Sequence, residues 1–407
     1  AARAPIWPAV LVLAVLVLLS LGRSSELPVA LAAIVALVLL ARRRLRIDDG
    51  AVHLALTLFA CYWLPALLSG IGAVEPAKTW STVAATLRFL PFALFVAWAL
   101  RDAAGWSAFV AAAGLVVALW ALDAWVQVAT GYSLGGAAEK ERVSGIFGAG
   151  NLKLGPVLAT LSPFVLLAAR ARFGRRGLLA AWLLLAIPIL LAGSRAAWLS
   201  FALVGVLLAW HETRAPRRFV AVLAAAALAI ATIAAIAWHD SARFGARVER
   251  SLLALRGTEA ALDEASAGRL SIWHTAVAMS AAHPLTGVGV RGFRYAYPRY
   301  AAPNDRFVDT AGDTGASHAH QIVLEVLSET GLAGLASWIA GAWLAARAWW
   351  RARADARARA LAPGLALLAM CFPVNTHLAF YSAWWGLLFW WLLALYCAAL
   401  GARDERT

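Results

Sequence analysis

Charge is scarce in this 407-residue chain: Asp, Glu, Lys and Arg together make up 14% of it, with 22 acidic residues against 36 basic ones. A soluble domain carries about a quarter of its residues charged, so a soluble globular enzyme is excluded and a chain immersed in lipid is expected. Cysteine is scarcer still, at three residues, and Cys61, Cys371 and Cys397 all fall in apolar runs. An odd number so placed argues against a disulfide framework and against thiol chemistry. The Walker A, H-E-x-x-H and zinc-type Cys/His spacings are missing too. So is any basic–aromatic RNA pattern, which leaves the net charge of +14 to loops facing anionic lipid and not to nucleic acid.

What the chain has is apolar length: 62% of it is hydrophobic. Runs close to the roughly 20 residues that cross a bilayer recur at 6–22, 26–41, 51–70, 79–100, 104–129, 153–170, 177–193, 196–211, 219–238, 318–349, 361–380 and 382–400. The expectation is an all-α polytopic membrane protein of about twelve transmembrane helices. Residues 1–238 would hold helices one to nine, 239–317 a large, partly helical external loop, and 318–407 the last three. The first run, Ile6–Leu21, resembles a signal h-region, but no A-x-A-like site precedes the next run, and it reads as a retained helix.

Basic loops set the orientation. "RRRLR" at 42–46, "RARFGRR" at 170–176, "HETRAPRR" at 211–218 and "RARADARARA" at 351–360 fall on one side, opposite the near-neutral loops 22–26 and 71–78. Basic loops are cytoplasmic, so both termini are expected inside and the 130–151 and 239–317 segments outside.

Charges kept at or inside membrane helices cost a few kcal/mol each, about 2.5–3.5 kcal/mol on insertion scales, and mark function. Arg88 sits within "TLRFLPF", Lys153 opens "NLKLGPVL", Arg195 lies in the short break "LAGSRAAW", and Arg269 in "SAGRLSIW" starts a helix of the large loop. Arg88 could instead pair with a carboxylate or snorkel, Lys153 could anchor a helix end, and Arg269 alone could be a surface residue. Guanidinium forks suit phosphate oxygens, so external cations grouped at one cavity point to a lipid-linked phosphate or diphosphate. Asp305, Asp309 and Asp313 lie in a Pro/Gly-rich loop and read as turn and cap residues before they read as a metal site.

The segment 317–334, "SHAHQIVLEVLSETGLAG", brings two histidines and two carboxylates to the mouth of an apolar run. On a continuous helix, His318, Glu325 and Glu329 share a stripe and His320 faces nearly the opposite side. The two histidines then have different roles, unless the helix starts only after His320. Histidine is a natural general base near neutrality; the alternative is a helix cap at headgroup level.

"HQIVLEVLSETGLAG" resembles the histidine motif of the bacterial O-antigen ligase family, with His320-Gln321, nine residues, Gly331, two residues and Gly334. Gln321 stands where Asn is the more usual choice. "SGIFGAGNLKLGPVLATLSPF" at 144–164, "LAGSRAAWLS" at 191–200 and "GRLSIWHTAVAMSAAHPLTGVGVRGF" at 268–293 resemble the same family in the same order.

The resemblance implies a GT-C-like, membrane-embedded glycosyltransferase of the bacterial inner membrane with a periplasmic active site. It would move a finished polysaccharide from undecaprenyl diphosphate to a sugar of lipid A–core, without metal, nucleotide or other cofactor. By motif, His320 is the family's essential histidine, Arg195 its arginine between helices and Arg269 the arginine of its large loop. Arg88 and Lys153 join them as candidate diphosphate ligands on the physical argument, with His318 and Glu325 as supporting residues. Rival readings are an O-antigen polymerase, a protein O-oligosaccharyltransferase and, in another class, a flippase for lipid-linked sugar. The chain's end soon after its last apolar run favours the ligase over the protein transferase, and the external grouping of cations disfavours a passage through both faces.

Overall fold

The computed structural model describes residues 6–45, 49–138, 142–240, 242–373 and 375–401. Arg46 of the first basic loop and the terminal residues assigned to the cytoplasm lie outside them. In chain order the helices are α1 (Trp7–Val17), α2 (Glu26–Ala41), α3 (Gly50–Leu68), α4 (Pro76–Thr86), α5 (Phe89–Ala99), α6 (Ala103–Thr130), α7 (Leu154–Leu191) and α8 (Arg195–Thr213). Then come α9 (Pro216–Asp240), α10 (Ala242–Leu252), α11 (Glu259–Ala265), α12 (Arg269–Ala282), α13 (Phe293–Tyr300), α14 (Ile322–Arg351), α15 (Ala354–Met370) and α16 (Ala383–Gly401). The strands found are the two-residue pair Tyr132–Ser133 and Gly136–Ala137. The protein is an all-α polytopic membrane protein.

Among the described residues, eight helical stretches are long and apolar enough to cross a membrane, and α1 and α2 are shorter apolar helices. The twelve expected segments map onto these and, for the eleventh, onto α15, which is not among them, with three corrections. First, α7 runs through both the sixth and seventh segments, and its backbone breaks at Gly174 (φ 66°, ψ −154°), inside the basic stretch expected to separate them. Second, the eleventh helix is Ala354–Met370 and not 361–380. Alanine and arginine are strong helix formers, so the helix begins within "RARADARARA". It stops before Pro373, which disfavours helical backbone in the residue ahead of it, and the Asn375 amide donates to the Met370 carbonyl at 3.0 Å. Third, the tenth helix starts at Ile322 and is broken at Gly331 (φ 66°, ψ −165°).

The chain forms two compact units: residues 1–109, 268–364 and 378–407, and residues 110–267 and 365–377. In the first, α16 is the enclosed helix, with 83% of its span buried and Trp390 and Trp391 fully so. A helix apolar all round belongs in such a position. Indole N–H groups tie it to neighbouring backbone, Trp391 to the Val12 carbonyl at 2.9 Å and Trp384 to that of Leu19 at 3.2 Å. In lipid each such donor needs a protein acceptor.

In the same unit, the break in α14 leaves backbone groups that no helix can satisfy. The turn segment 284–290 satisfies them. Val288 and Gly289 N–H donate to the Ser328 and Glu329 carbonyls at 2.9 and 3.0 Å, and Leu332 and Ala333 N–H donate to those of Pro284 and Leu285 at 2.8 and 3.2 Å. Broken helices at membrane depth need this kind of protein cover. Gly331, at positive φ, packs directly on the Leu285 backbone, and Gly287, also at positive φ, on that of Glu329, so a Cβ has no room at either.

Candidate functional site

In the first unit, the histidines of the 317–334 segment precede α14. Gln321 is extended (φ −159°) and caps the helix, its side-chain oxygen accepting from the Leu324 N–H at 2.6 Å. The helix therefore starts only after His320, the alternative left open on the sequence, and the two histidines do not share it. The backbone turns left-handed at His320 (φ 54°), and the two rings lie 3.9 Å apart, inclined by 43°. Left-handed backbone at a non-glycine residue costs about 1–3 kcal/mol and collects at functional sites.

Several bonds hold this turn. Ser317 Oγ lies 2.9 Å from His318 Nδ1, and Trp273 donates its indole N–H to the Ala319 carbonyl, between the histidines, at 3.1 Å. Ala316 and Ala319 are buried in a core with Ile272, Ala276 and Met279 of α12 and Tyr297 of α13. Tyr297 donates its hydroxyl to Asp305 Oδ2 at 3.1 Å, and burial pushes the phenol up to about 12.

Arg269 is the first residue of α12, one helical turn before Trp273 and on the same face. The structure thus brings Arg269 and the histidine turn to one end of α12. Gly268 before it is left-handed (φ 82°), and the Arg306 guanidinium fills the space a side chain there would need. A second guanidinium beside Arg269 was not foreseen from the sequence. Arg306 sits in a polar loop where a lone arginine carries no signal.

Two expected site residues sit differently. Arg88 lies in the turn between α4 and α5 and gives its guanidinium to Glu26, at 2.8 Å from Nε and 2.7 Å from Nη2, and to the Ala85 carbonyl. This carboxylate pairing was the alternative open on the sequence. Glu325, expected to support a histidine, is fully buried and makes no hydrogen bond to either one. Asp305 and Asp309 serve turns: Asp305 accepts from the Phe307 N–H at 2.8 Å, and Asp309 from the Thr314 hydroxyl at 2.6 Å. That hydroxyl holds the Asp309 carboxyl below its ordinary value.

In the second unit, Lys153 and Arg195 each stand where a helix begins. Ser194 caps α8 by accepting from the Ala197 N–H at 3.2 Å, which fixes Arg195 as its first residue. Lys153 is the N-cap residue of α7. The starts of α7 and α8 meet closely: a Cβ on Gly155 would lie 3.0 Å from that of Ala192 and 3.6 Å from that of Ser194. Two helix N-termini and two cations in one place form a setting suited to an anion. Burial holds the Lys153 ammonium below its ordinary value, a penalty that a bound anion would offset. Arg195 also donates to the Ala265 carbonyl and lies within electrostatic range of Arg250, a residue the sequence did not single out.

Two buried polar residues of α6, Asp123 and Gln127, hold the Gly-rich 130–151 loop. Asp123 accepts from the Leu134 N–H at 2.7 Å, and the side-chain Oε1 of Gln127 from the Ser144 and Gly145 N–H groups, both at 2.8 Å. Their signal was readable, since polar residues at i and i+4 inside an apolar helix need partners.

Residues 179–339 match the family model described as O-antigen ligase. The chain carries an O-antigen ligase family domain. The matched residues of this O-antigen ligase domain include Arg195, Arg269, His318, His320 and Glu325, and leave out Arg88 and Lys153. No curated protein matches the chain.

Proposed function

We propose that this member of the O-antigen ligase family transfers polysaccharide from undecaprenyl diphosphate to a sugar hydroxyl of lipid A–core at the periplasmic face of the bacterial inner membrane. The observation that carries the proposal is the His318–His320 turn, pinned by Trp273 one helical turn from Arg269, inside the family-matched segment. Arg269, in the unit of the histidine turn, binds the diphosphate, and Arg195 with Lys153 form an anion-binding pair within their own unit. Arg269 holds the charge that grows on the departing phosphate oxygen, which favours the transition state over the bound substrate. His320 accepts the proton of the acceptor hydroxyl as its oxygen attacks the anomeric carbon. The bond from that carbon to the phosphate oxygen breaks, and its electron pair leaves with undecaprenyl diphosphate. A single displacement inverts configuration and needs no metal ion. Arg88, held by Glu26, fixes the α4–α5 turn and takes no part.

The test is purified protein with undecaprenyl-diphosphate-linked polysaccharide, lipid A–core and EDTA, read as a ladder of modified lipid A–core. A ladder from wild type that a folded His320→Ala variant does not make supports the reading. If folded wild type makes no ladder but extends the donor-linked polymer, or modifies an exported protein, the acceptor assignment fails and the polymerase or protein-transferase reading replaces it. An EDTA-sensitive ladder would overturn the metal-free step.

A further inference from the structure

The first unit holds a group of polar atoms that the proposed transfer does not use. Glu325 and Glu329, one turn apart on α14, are both 0% exposed. Glu329 Oε2 accepts from the Arg291 N–H at 2.8 Å. Its Oε1 and both oxygens of Glu325 complete no hydrogen bond, although the Phe380 and Tyr381 amides lie alongside Glu325. From α3, Tyr62 reaches the same place. Its ring is 5% exposed, its hydroxyl has no partner, and both carboxylates lie within its electrostatic range. The Tyr381 hydroxyl completes the group, 3.4 Å from Thr330 Oγ1.

A charge count shows what is missing. Arg291, from the segment that covers the helix break, is the cation facing both carboxylates. Arg88 acts on Tyr62, but its guanidinium is taken by Glu26. Two carboxylates and one guanidinium leave one negative charge in a buried interior, where an uncompensated ion costs several kcal/mol. Three carboxylate oxygens and a phenol there also lack partners, and buried polar groups without partners are rare.

We propose that Glu325, Glu329 and Tyr62 form a binding site for one monovalent cation, a proton or a sodium ion, at the break in α14. A proton would let one carboxyl donate to the other and leave the Tyr62 hydroxyl an acceptor. A sodium ion would take the same oxygens as ligands. Either one restores neutrality, and through Glu329 either one fixes the Arg291 amide and the 284–292 segment that seals the break. The site stands apart from the ligase reading and is tested without activity.

The experiment uses the full-length protein in detergent. Infrared difference spectra at neutral pH, in sodium and in choline buffer, look for the C=O stretch of a protonated carboxyl. Thermal unfolding is followed in the same two buffers. A protonated-carboxyl band in both buffers that Glu325→Gln removes identifies the proton. No band in sodium, together with a melting temperature that rises with sodium but not choline and stops doing so in Glu325→Gln, identifies sodium. A wild type with no band and no sodium response overturns the proposal, as does a folded Glu325→Gln that keeps the wild-type band or the wild-type sodium response. If Glu325→Gln does not fold, Tyr62→Phe replaces it; the proposal requires the band to shift or the sodium response to weaken, and an unchanged result overturns it.

Discussion

At the scale of single residues, the roles proposed for the cations and the histidine separate experimentally. Removing a general base costs about 10²–10⁴-fold in rate, so His320→Ala should lose transfer to that extent with its melting temperature nearly unchanged, whereas His318→Ala should lose less. Arg269→Lys and Arg195→Lys keep the charge but lose the planar fork. Each should weaken donor binding in a titration with undecaprenyl diphosphate, and equal affinity for wild type and variant would remove that arginine from the site. Asp309 offers a pH test away from the membrane. Its folded value is depressed by the Thr314 hydroxyl. The stabilisation is therefore present above the ordinary carboxylate range and lost as pH falls through the folded value. Protection of the 309–314 amides from hydrogen exchange should drop on acidification in wild type and be low at all pH values in Asp309→Ala.

At the scale of elements, the broken α14 and its cover act as one device. The hydrogen bonds that 284–290 makes on both sides of Gly331 need two glycines in left-handed backbone pressed against each other's chain. Gly331→Ala adds about 1–3 kcal/mol for the backbone conformation and about 1–3 kcal/mol for overpacking. The variant should lose most of its folded yield in a detergent size-exclusion assay, while Gly257→Ala, in open space at a similar φ, carries only the backbone cost and should lose less. Trp273→Phe removes the bond to the Ala319 carbonyl, worth about 1 kcal/mol, and loosens the histidine turn. Its expected signature is a lower kcat with donor binding retained; a variant with wild-type kcat would show that the turn holds itself.

At the scale of the whole molecule, the active site proposed here requires one particular orientation across the membrane. The exposed Thr258, in the expected external segment, and the exposed Arg353, in a basic loop expected inside, make a matched pair. In intact spheroplasts an impermeant thiol reagent should label Thr258→Cys directly and Arg353→Cys only after permeabilisation. Labelling above the background of the three native cysteines in the reverse order would invert the topology and remove the active site from the periplasm.

Composition and apolar run length by themselves determined the class of this protein, because lipid leaves a chain few options beyond helices of bilayer length. The break before Arg195 and the helix start at Arg269 were legible for local reasons too, and the structure keeps both, the first with Ser194 as its cap. Periodicity could not decide the mouth of α14, since it assumes the helix it is meant to find, and of the two alternatives it left open the structure has the helix that starts after His320. The turn at His320 is set by Trp273, which bonds the Ala319 carbonyl 46 residues on, and by the core under Ala319. The break at Gly331 depends likewise on a segment distant in the chain that supplies the missing hydrogen bonds. Tertiary structure alone decided that the two histidine rings lie side by side, that Arg88 belongs to Glu26, and that two carboxylates lie buried together, because each rests on partners far apart in sequence.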